Sequence, residues 1–270
     1  MKFVFLIPLV LGLSVDLASA TTANYADFSS TTGLTLNGNA AQVGNVLRLV
    51  PNVATQSGTA FLTTAISLDA ATAFSSSFKF NVTTDPGNPT DGFAFLLQND
   101  PAGKSALGTG GQGSGYVGLK PSVAVLFRGR DPNLIGVITG GADGSTLSPA
   151  WQPANYYTGA QGSFYNQDEY AWIDYNPGSK QLSVFLSTSS TKPGAAIMST
   201  SVDVFGTLGS QAYVGFSAGN GGATGNQDIL NWSLNTAPVP EPTTSGMFAL
   251  GLVALALARR RPSLKGNRQI

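Results

Sequence analysis

The segment Ser122–Val137, SVAVLFRGRDPNLIGV, sets three charges, Arg128, Arg130 and Asp131, in a short Gly/Pro turn directly after an apolar run. Charges so placed suit the lip of a ligand site, the remnant of a metal site or a solvated loop, and the three residues alone do not decide among these. A second candidate for chemistry is the carboxyl pair Asp168 and Glu169. Glycoside hydrolysis requires two carboxyl groups flanking one bond, whereas adjacent side chains on a strand project to opposite faces. Outside the tail, Glu169 is also the sole Glu of the chain. The missing residue types narrow the field further: the 270 residues include no Cys and no His. Disulfides, thiolate metal sites and Cys nucleophiles are thereby removed, together with the usual general base and the commonest zinc ligand. The expectation is a protein that is not an enzyme.

The elements that must position these residues are short. Apolar runs recur between Gly/Asn/Pro turns: Val46–Val50, Phe74–Val82, Gly92–Leu97, Tyr116–Leu119, Val123–Phe127, Tyr170–Tyr175, Gln181–Ser187, Ala212–Ala218 and Ile229–Leu234. FKFNV alternates with the period of two expected of a strand with one buried face. AFLL and VAVLF are continuously apolar, as expected where both faces are covered. From Tyr25 to Asn235 no stripe of 3.6-residue period is long enough for a helix. Many strands with Gly-rich connections and no helical crossovers predict two packed antiparallel sheets. The formal net charge is zero, and no basic patch stands out in the middle of the chain, which argues against nucleic acid as a partner.

Both ends read as targeting segments. MKFVFLIPLVLGLSVDLASA has one Lys, an apolar run and a small-residue Ala18-Ser19-Ala20 site, the pattern of a secretory signal peptide over 1–20. At the other end, VPEPTTSGMFALGLVALALARRRPS joins a Pro-Glu-Pro triplet to the apolar stretch Gly246–Ala258 and then to Arg259, Arg260 and Arg261. The prolines cannot continue a strand ladder. The thirteen apolar residues fall short of the roughly 20 that span a bilayer comfortably, and the Arg cluster would stay on the cytoplasmic side. This tail, over 237–270, resembles a PEP-CTERM sorting signal. The resemblance implies a bacterial protein, recognised by an exosortase and cut near the triplet. It would be anchored transiently in the inner membrane through the short tail helix, then delivered to the cell surface or its exopolysaccharide.

The body between the ends, 21–236, reads as one domain. Several of its segments, in order, resemble the legume-type (L-type) lectins of the concanavalin A-like superfamily. They are FSSTTGLTLNGNAAQVGNVLRLVP with GTAFLTTAISL, then FSSSFKFNVTTDPGNPTDGFAFLLQNDPAG, then ALGTGGQGSGYVGLKPSVAVLF, then YAWIDYNPGSKQLSVFLS and AYVGFSAGNGGATGNQDILNWSL. The fold implied is an all-β jelly-roll sandwich of two antiparallel sheets. The function implied is non-catalytic binding of a glycan or exopolysaccharide in a shallow loop site. A structural matrix protein that kept the sandwich and lost the sugar site is the alternative.

Carried over residue by residue, the resemblance places Asp91 at the family's sugar-binding Asp. Its ionised carboxylate offers two oxygens to paired hydroxyls, in bonds strengthened by charge. The Thr90–Asp91 bond falls where the family often has a cis peptide. Gly111 and Gly113, in the Gly108–Gly115 loop, are the candidates for the amide donor, since glycine permits close backbone approach. Asn133, and Asn226 and Gln227 in the closing loop Gly219–Gln227, are the candidate amide contacts. Trp151, Tyr156 and Tyr157 are candidate stacking residues. For metals, the family carries a Glu and, two residues later, an Asp that hold a transition metal and Ca²⁺. Here those positions are Leu126 and Arg128, and Leu134 stands where a His ligand is expected. Neither an aliphatic chain nor a guanidinium ligates a divalent cation. Asp131, the weak remaining candidate, and Asn133 fall short of the six to eight oxygens that Ca²⁺ takes. The expectation is therefore no metal cofactor, with Ca²⁺ as the alternative, and a loop held instead by Arg128 or Arg130 against Asp131 or Asp91.

Overall fold

The computed structural model describes residues 22–129, 134–141, 157–158 and 164–238. The alternation in FSSSFKFNV is realised in a 13-residue strand, Thr72–Thr84. Phe74, Phe78, Phe80 and Val82 are buried, whereas Ser75, Ser77, Lys79 and Asn81 lie on the opposite face. The strands are β1 (Thr22–Tyr25), β2 (Leu34–Gly38), β3 (Ala41–Val43), β4 (Val46–Val50), β5 (Gln56–Leu62), β6 (Ile66–Ser67), β7 (Thr72–Thr84) and β8 (Gly92–Gln98). They continue with β9 (Ser122–Arg128), β10 (Leu134–Thr139), β11 (Tyr157–Thr158), β12 (Asp168–Asn176), β13 (Gln181–Ser187), β14 (Met198–Ser201), β15 (Gln211–Asn220) and β16 (Gly225–Pro238). One short helix, α1 (Val204–Leu208), is capped by Asp203, whose Oδ1 accepts from Gly206 N–H at 2.9 Å.

Two antiparallel sheets form. One runs β14-β13-β12-β7-β16-β4-β3 with β1 also on β16; the other runs β11-β10-β9-β8-β15-β5-β2 with β6 also on β15. The inner faces meet in a core of Phe rings. Phe93 and Phe127 stack at 4.7 Å, and Phe78 meets Phe216 edge-on at 5.0 Å. Each such ring, when fully buried, contributes about 1.5–3 kcal/mol, and each aromatic pair adds about 0.5–1.5 kcal/mol. Trp232 is buried in the same core and still satisfies its indole, donating to Ser76 Oγ at 3.0 Å.

The continuous apolarity of β8 and β9 has a separate cause. Every residue of both strands is buried, because a second apolar cluster covers the outer face of their sheet. Tyr116, Val117 and Leu119 pack there on Ala94, Leu96, Ala124 and Leu126. The expected strand Tyr116–Leu119 is not one. Its residues form turns with a single bridge, Thr109 to Val117, broken by left-handed backbone at Gly115 and Gly118. The apolar side chains serve as a lid on the sheet, which sequence periodicity does not distinguish from a short strand. The first compact unit ends at Pro238, the last residue of β16. Among the described residues no helix is long and apolar enough to cross a membrane, and the expected tail helix lies outside them.

Candidate functional site

Asp91 sits immediately before β8, at the end of the sandwich where the closing loop between β15 and β16 returns. The residue is 5% exposed, and its Oδ2 accepts from Gly221 N–H at 2.7 Å, a charge-assisted bond. A depression of about 460 Å³ opens beside it, lined by Asn88, Asp91, Gln112, Gly221, Gly222 and Ala223. The short 3-10 turn Gly111–Gly113 forms its third wall. A Cβ at Gly221 would stand 2.8 Å from Asp91 Oδ2, so only glycine lets this amide reach the carboxylate. Gly111 holds a left-handed φ of 58°, and its missing Cβ would lie 3.8 Å from Asp91 Oδ2 and 3.5 Å from Gly221 Cα.

A buried polar network lies under the depression. Asn220, with no exposure, donates through Nδ2 to Pro51 O at 2.8 Å, to Gly225 O at 2.9 Å and, more weakly, to Val53 O at 3.2 Å. Its Oδ1 accepts from the Thr90 hydroxyl and from Gln227 Nε2 at 3.1 Å. Gln227 Nε2 also reaches Thr90 Oγ1 at 3.1 Å and Gly219 O at 3.0 Å. Thr90 N–H in turn donates to Thr84 Oγ1, which donates to Thr224 O. The network ties the residue before Asp91 to both ends of the closing loop. The mutual position of Asp91 and Gly221 is thus set by buried hydrogen bonds, whose loss is costly because no water replaces them.

Of the residues singled out from sequence, the fold brings Asp91 and Gly111 together and gives the others different places. Gly113 is buried, with its N–H given to Gly110 O at 3.1 Å; the turn uses this donor, so Gly113 is corrected from ligand donor to turn residue. Gln227 is 1% exposed and belongs to the network beneath the site, so its amide positions the loop and does not line the depression. Asn226 accepts from Asn52 N–H at 2.8 Å and is also absent from the lining; strand alternation turns it away from Gln227, toward the neighbouring loop. Asn133, Asp131, Arg130, Trp151 and Tyr156 lie outside the described residues. Tyr157 opens β11, paired with Ile135. The Thr90–Asp91 bond is trans, and the cis peptide among the described residues is Lys120–Pro121.

Sequence reading missed Asn88, Gln112 and Gly221 as lining residues, and Asn220 with Thr90 as their support. The only signal was the Gly-rich closing loop itself. Which of its amides meets Asp91 depends on a contact across 130 residues.

Among the described residues the donor set does not fit the metals that the resemblance implies. Leu126 is 3% exposed in the apolar cluster with Ala94 and Ala124, and Arg128 closes β9 opposite Gly92 and Leu134. Among the described residues no three His, Cys, Asp or Glu side chains gather in a metal-binding group.

The carboxyl pair is split by the strand. Glu169 is buried on the core face of β12, where burial raises its pKa. Asp168 lies on the outer face, paired with Lys79 at 2.6 Å, and that hydrogen bond lowers its pKa. No single bond can be flanked by both.

Comparison with known proteins agrees with this architecture. Residues 20–127 and 141–247 match the model of the legume lectin domain family, and residues 238–261 match the PEP-CTERM protein-sorting motif, which indicates export and sorting to the cell surface. Lectin 9 of Medicago truncatula is 32% identical over 188 residues, 61% of this chain and 62% of that protein. The L-type lectin-domain containing receptor kinase S.7 of Oryza sativa subsp. japonica is 27% identical over 269 residues, 86% of this chain and 37% of the kinase. The chain thus spans 62% of the length of the first of these curated relatives and 37% of the second, under two thirds of each. Among solved structures, a lectin from Bauhinia forficata in complex with GalNAc superposes with a TM-score of 0.68 at 21% identity, covering 82% of this chain and 99% of that one. Arcelin-5, a lectin-like defense protein from Phaseolus vulgaris, gives 0.68 at 21%, with 82% and 100% covered. These likenesses establish the all-β jelly-roll sandwich.

Proposed function

Because the chain belongs to the legume lectin domain family, we propose that it is a non-catalytic glycan-binding protein whose site is the depression at Asp91. The observation that carries this reading is the pairing of the Asp91 carboxylate with Gly221 N–H at 2.7 Å on the wall of an open, polar-lined depression. A carboxylate held this way accepts from paired hydroxyls, and Asn88 and Gln112 add amide donors and acceptors at the rim. A shallow site with few charges suits a neutral sugar and offers no second acid for hydrolysis. Binding proceeds without metal, since Leu126 and Arg128 supply no ligands and the Thr90–Asn220–Gln227 network holds the loop. The PEP-CTERM tail directs processing by an exosortase-type enzyme and places the domain at the cell surface, where exopolysaccharide is the glycan at hand.

The test is a glycan array probed with the full chain and with Asp91→Ala, each with and without EDTA. Binding that survives EDTA and is lost in Asp91→Ala is the expected result. Binding abolished by EDTA overturns the metal-free reading. Absence of binding to every glycan overturns the proposal in favour of a structural matrix protein.

A further inference from the structure

The outer face of the sheet that contains β7, β12 and β13 carries an aromatic group that the Asp91 site does not use. Alternation on β12 turns Tyr170 and Trp172 outward, each half-buried, and β13 adds Phe185 directly opposite Trp172. The rings of Tyr170 and Trp172 lie 6.2 Å apart with only 19° between their planes. On the same face of β7, β12 and β13 the aliphatic side chain is the single methyl of Ala73, and around the rings stand Ser75, Ser77 and Asn81 of β7 and Ser183 and Ser187 of β13. Its lysines are neutralised in place. Lys79 pairs with Asp168 and lies 5.6 Å from the Tyr170 ring centroid, and Lys192 pairs with Asp174 beside Phe185.

We infer that this sheet face is a second glycan-binding surface, one that takes a neutral polysaccharide chain, with Trp172 as its anchor. The chemistry selects that occupant. Aromatic faces cover the C–H face of a sugar ring, and the surrounding hydroxyls and amides exchange hydrogen bonds with its hydroxyl groups. A second copy of the chain would need an interface core richer in apolar surface, about 65% in homodimers, than three rings among serines provide. A lipid surface would call for free cations and aliphatic side chains, and both lysines here are paired. The sheet is open and pleated, with strands about 4.8 Å apart, so that an extended chain can lie across β7, β12 and β13 with several sugar units in contact. The Asp91 depression is lined by loop residues from other segments, so the two surfaces are separable by mutation.

Affinity electrophoresis of the full chain in gels containing galactomannan, dextran or hydroxyethylcellulose tests this. Retardation by at least one polymer is expected. Trp172→Thr, which keeps a strand-favouring residue, should weaken it about tenfold, equivalent to about 1.4 kcal/mol. Trp172→Phe, which keeps a ring, should retain most of it, and Asp91→Ala should leave it. Three results overturn the inference: no retardation by any polymer, retardation unchanged in Trp172→Thr with folding verified by circular dichroism, or retardation lost as fully in Asp91→Ala, which assigns the polymer to the loop site. A concentration-dependent dimer in sedimentation that Trp172→Thr abolishes also overturns it, by assigning the face to a second copy. Failure of the Asp91 reading is seen separately, as array binding that Asp91→Ala does not change.

Discussion

Replacing Asn220 by Ala tests whether buried hydrogen bonds set the site. The side chain has no exposure and serves Pro51 O, Gly225 O, Thr90 Oγ1 and Gln227 Nε2, with Val53 O as a weaker fifth partner. Gln227 Nε2 keeps Gly219 O and Thr90 Oγ1 in the variant, and Pro51 is partly exposed, so water can reach it. That leaves the Thr90 hydroxyl and Gly225 O as orphaned groups, each costing about 1–3 kcal/mol. The expected loss is about 3–4 kcal/mol. With a urea m-value of about 2–3 kcal/mol per M, the unfolding midpoint should fall by about 1–2 M at unchanged m.

Asn220→Asp sharpens the test, because it preserves shape while turning an oxygen toward three carbonyls. At neutral pH it should be less stable than Asn220→Ala, since a buried carboxylate facing lone pairs is disfavoured. Its folded pKa is then raised, the native state binds more protons than the unfolded chain, and stability should recover as pH falls toward about 4. Glycan affinity should fall in both variants, because the loop bearing Gly221 loses its anchor. A midpoint shift for Asn220→Ala equivalent to less than about 0.5 kcal/mol, typical of a surface change, would refute the reasoning. So would an Asp variant that equals or exceeds the Ala variant at pH 7.

Three further outcomes are expected. Gly111→Ala places its methyl in ordinary contact with Gly221 and Asp91 and adds about 1–2 kcal/mol of left-handed backbone strain; the chain should fold while glycan affinity, read by titration, drops at least about tenfold. Glu169→Gln should be more stable than the parent at pH 7, because burial raises the Glu169 pKa. A raised folded value means that parental stability declines as pH rises through the window above the unfolded value, so the advantage, read as a Tm difference, should vanish below about pH 4. Gly215→Ala sets a Cβ 1.9 Å from Ala60 O on the neighbouring strand; soluble yield or Tm should collapse, since backbone must move, and the loss should exceed about 4 kcal/mol.

Much of the scaffold was legible because strands write their environment in a period of two. FKFNV alternates because one face of β7 meets the core, and VAVLF does not because β9 is covered on both sides. Tyr116–Leu119 misled for the same reason: a loop that covers a sheet is as apolar as a strand inside one. In the site, Asp91 was reached through the family resemblance, but the amide that meets it was not. Gly111 and Gly113 are indistinguishable in sequence, and only the turn's own hydrogen bonding separates them. Gln227 and Asn226 were read as ligand contacts because amides suit sugars; strand alternation instead buries one and turns the other to Asn52 N–H.

By itself, the amino-acid sequence determined the fold class, the PEP-CTERM sorting motif over 238–261, the absence of Cys and His chemistry and the lack of carboxylates at positions 126 and 128. All of these reside in residue identity or short-range order. Only the tertiary structure decided which groups meet: Asp91 with Gly221 and Asn220 with Thr90. Those pairings join segments far apart in the chain, and their geometry comes from the packing of two whole sheets, to which no local pattern is sensitive.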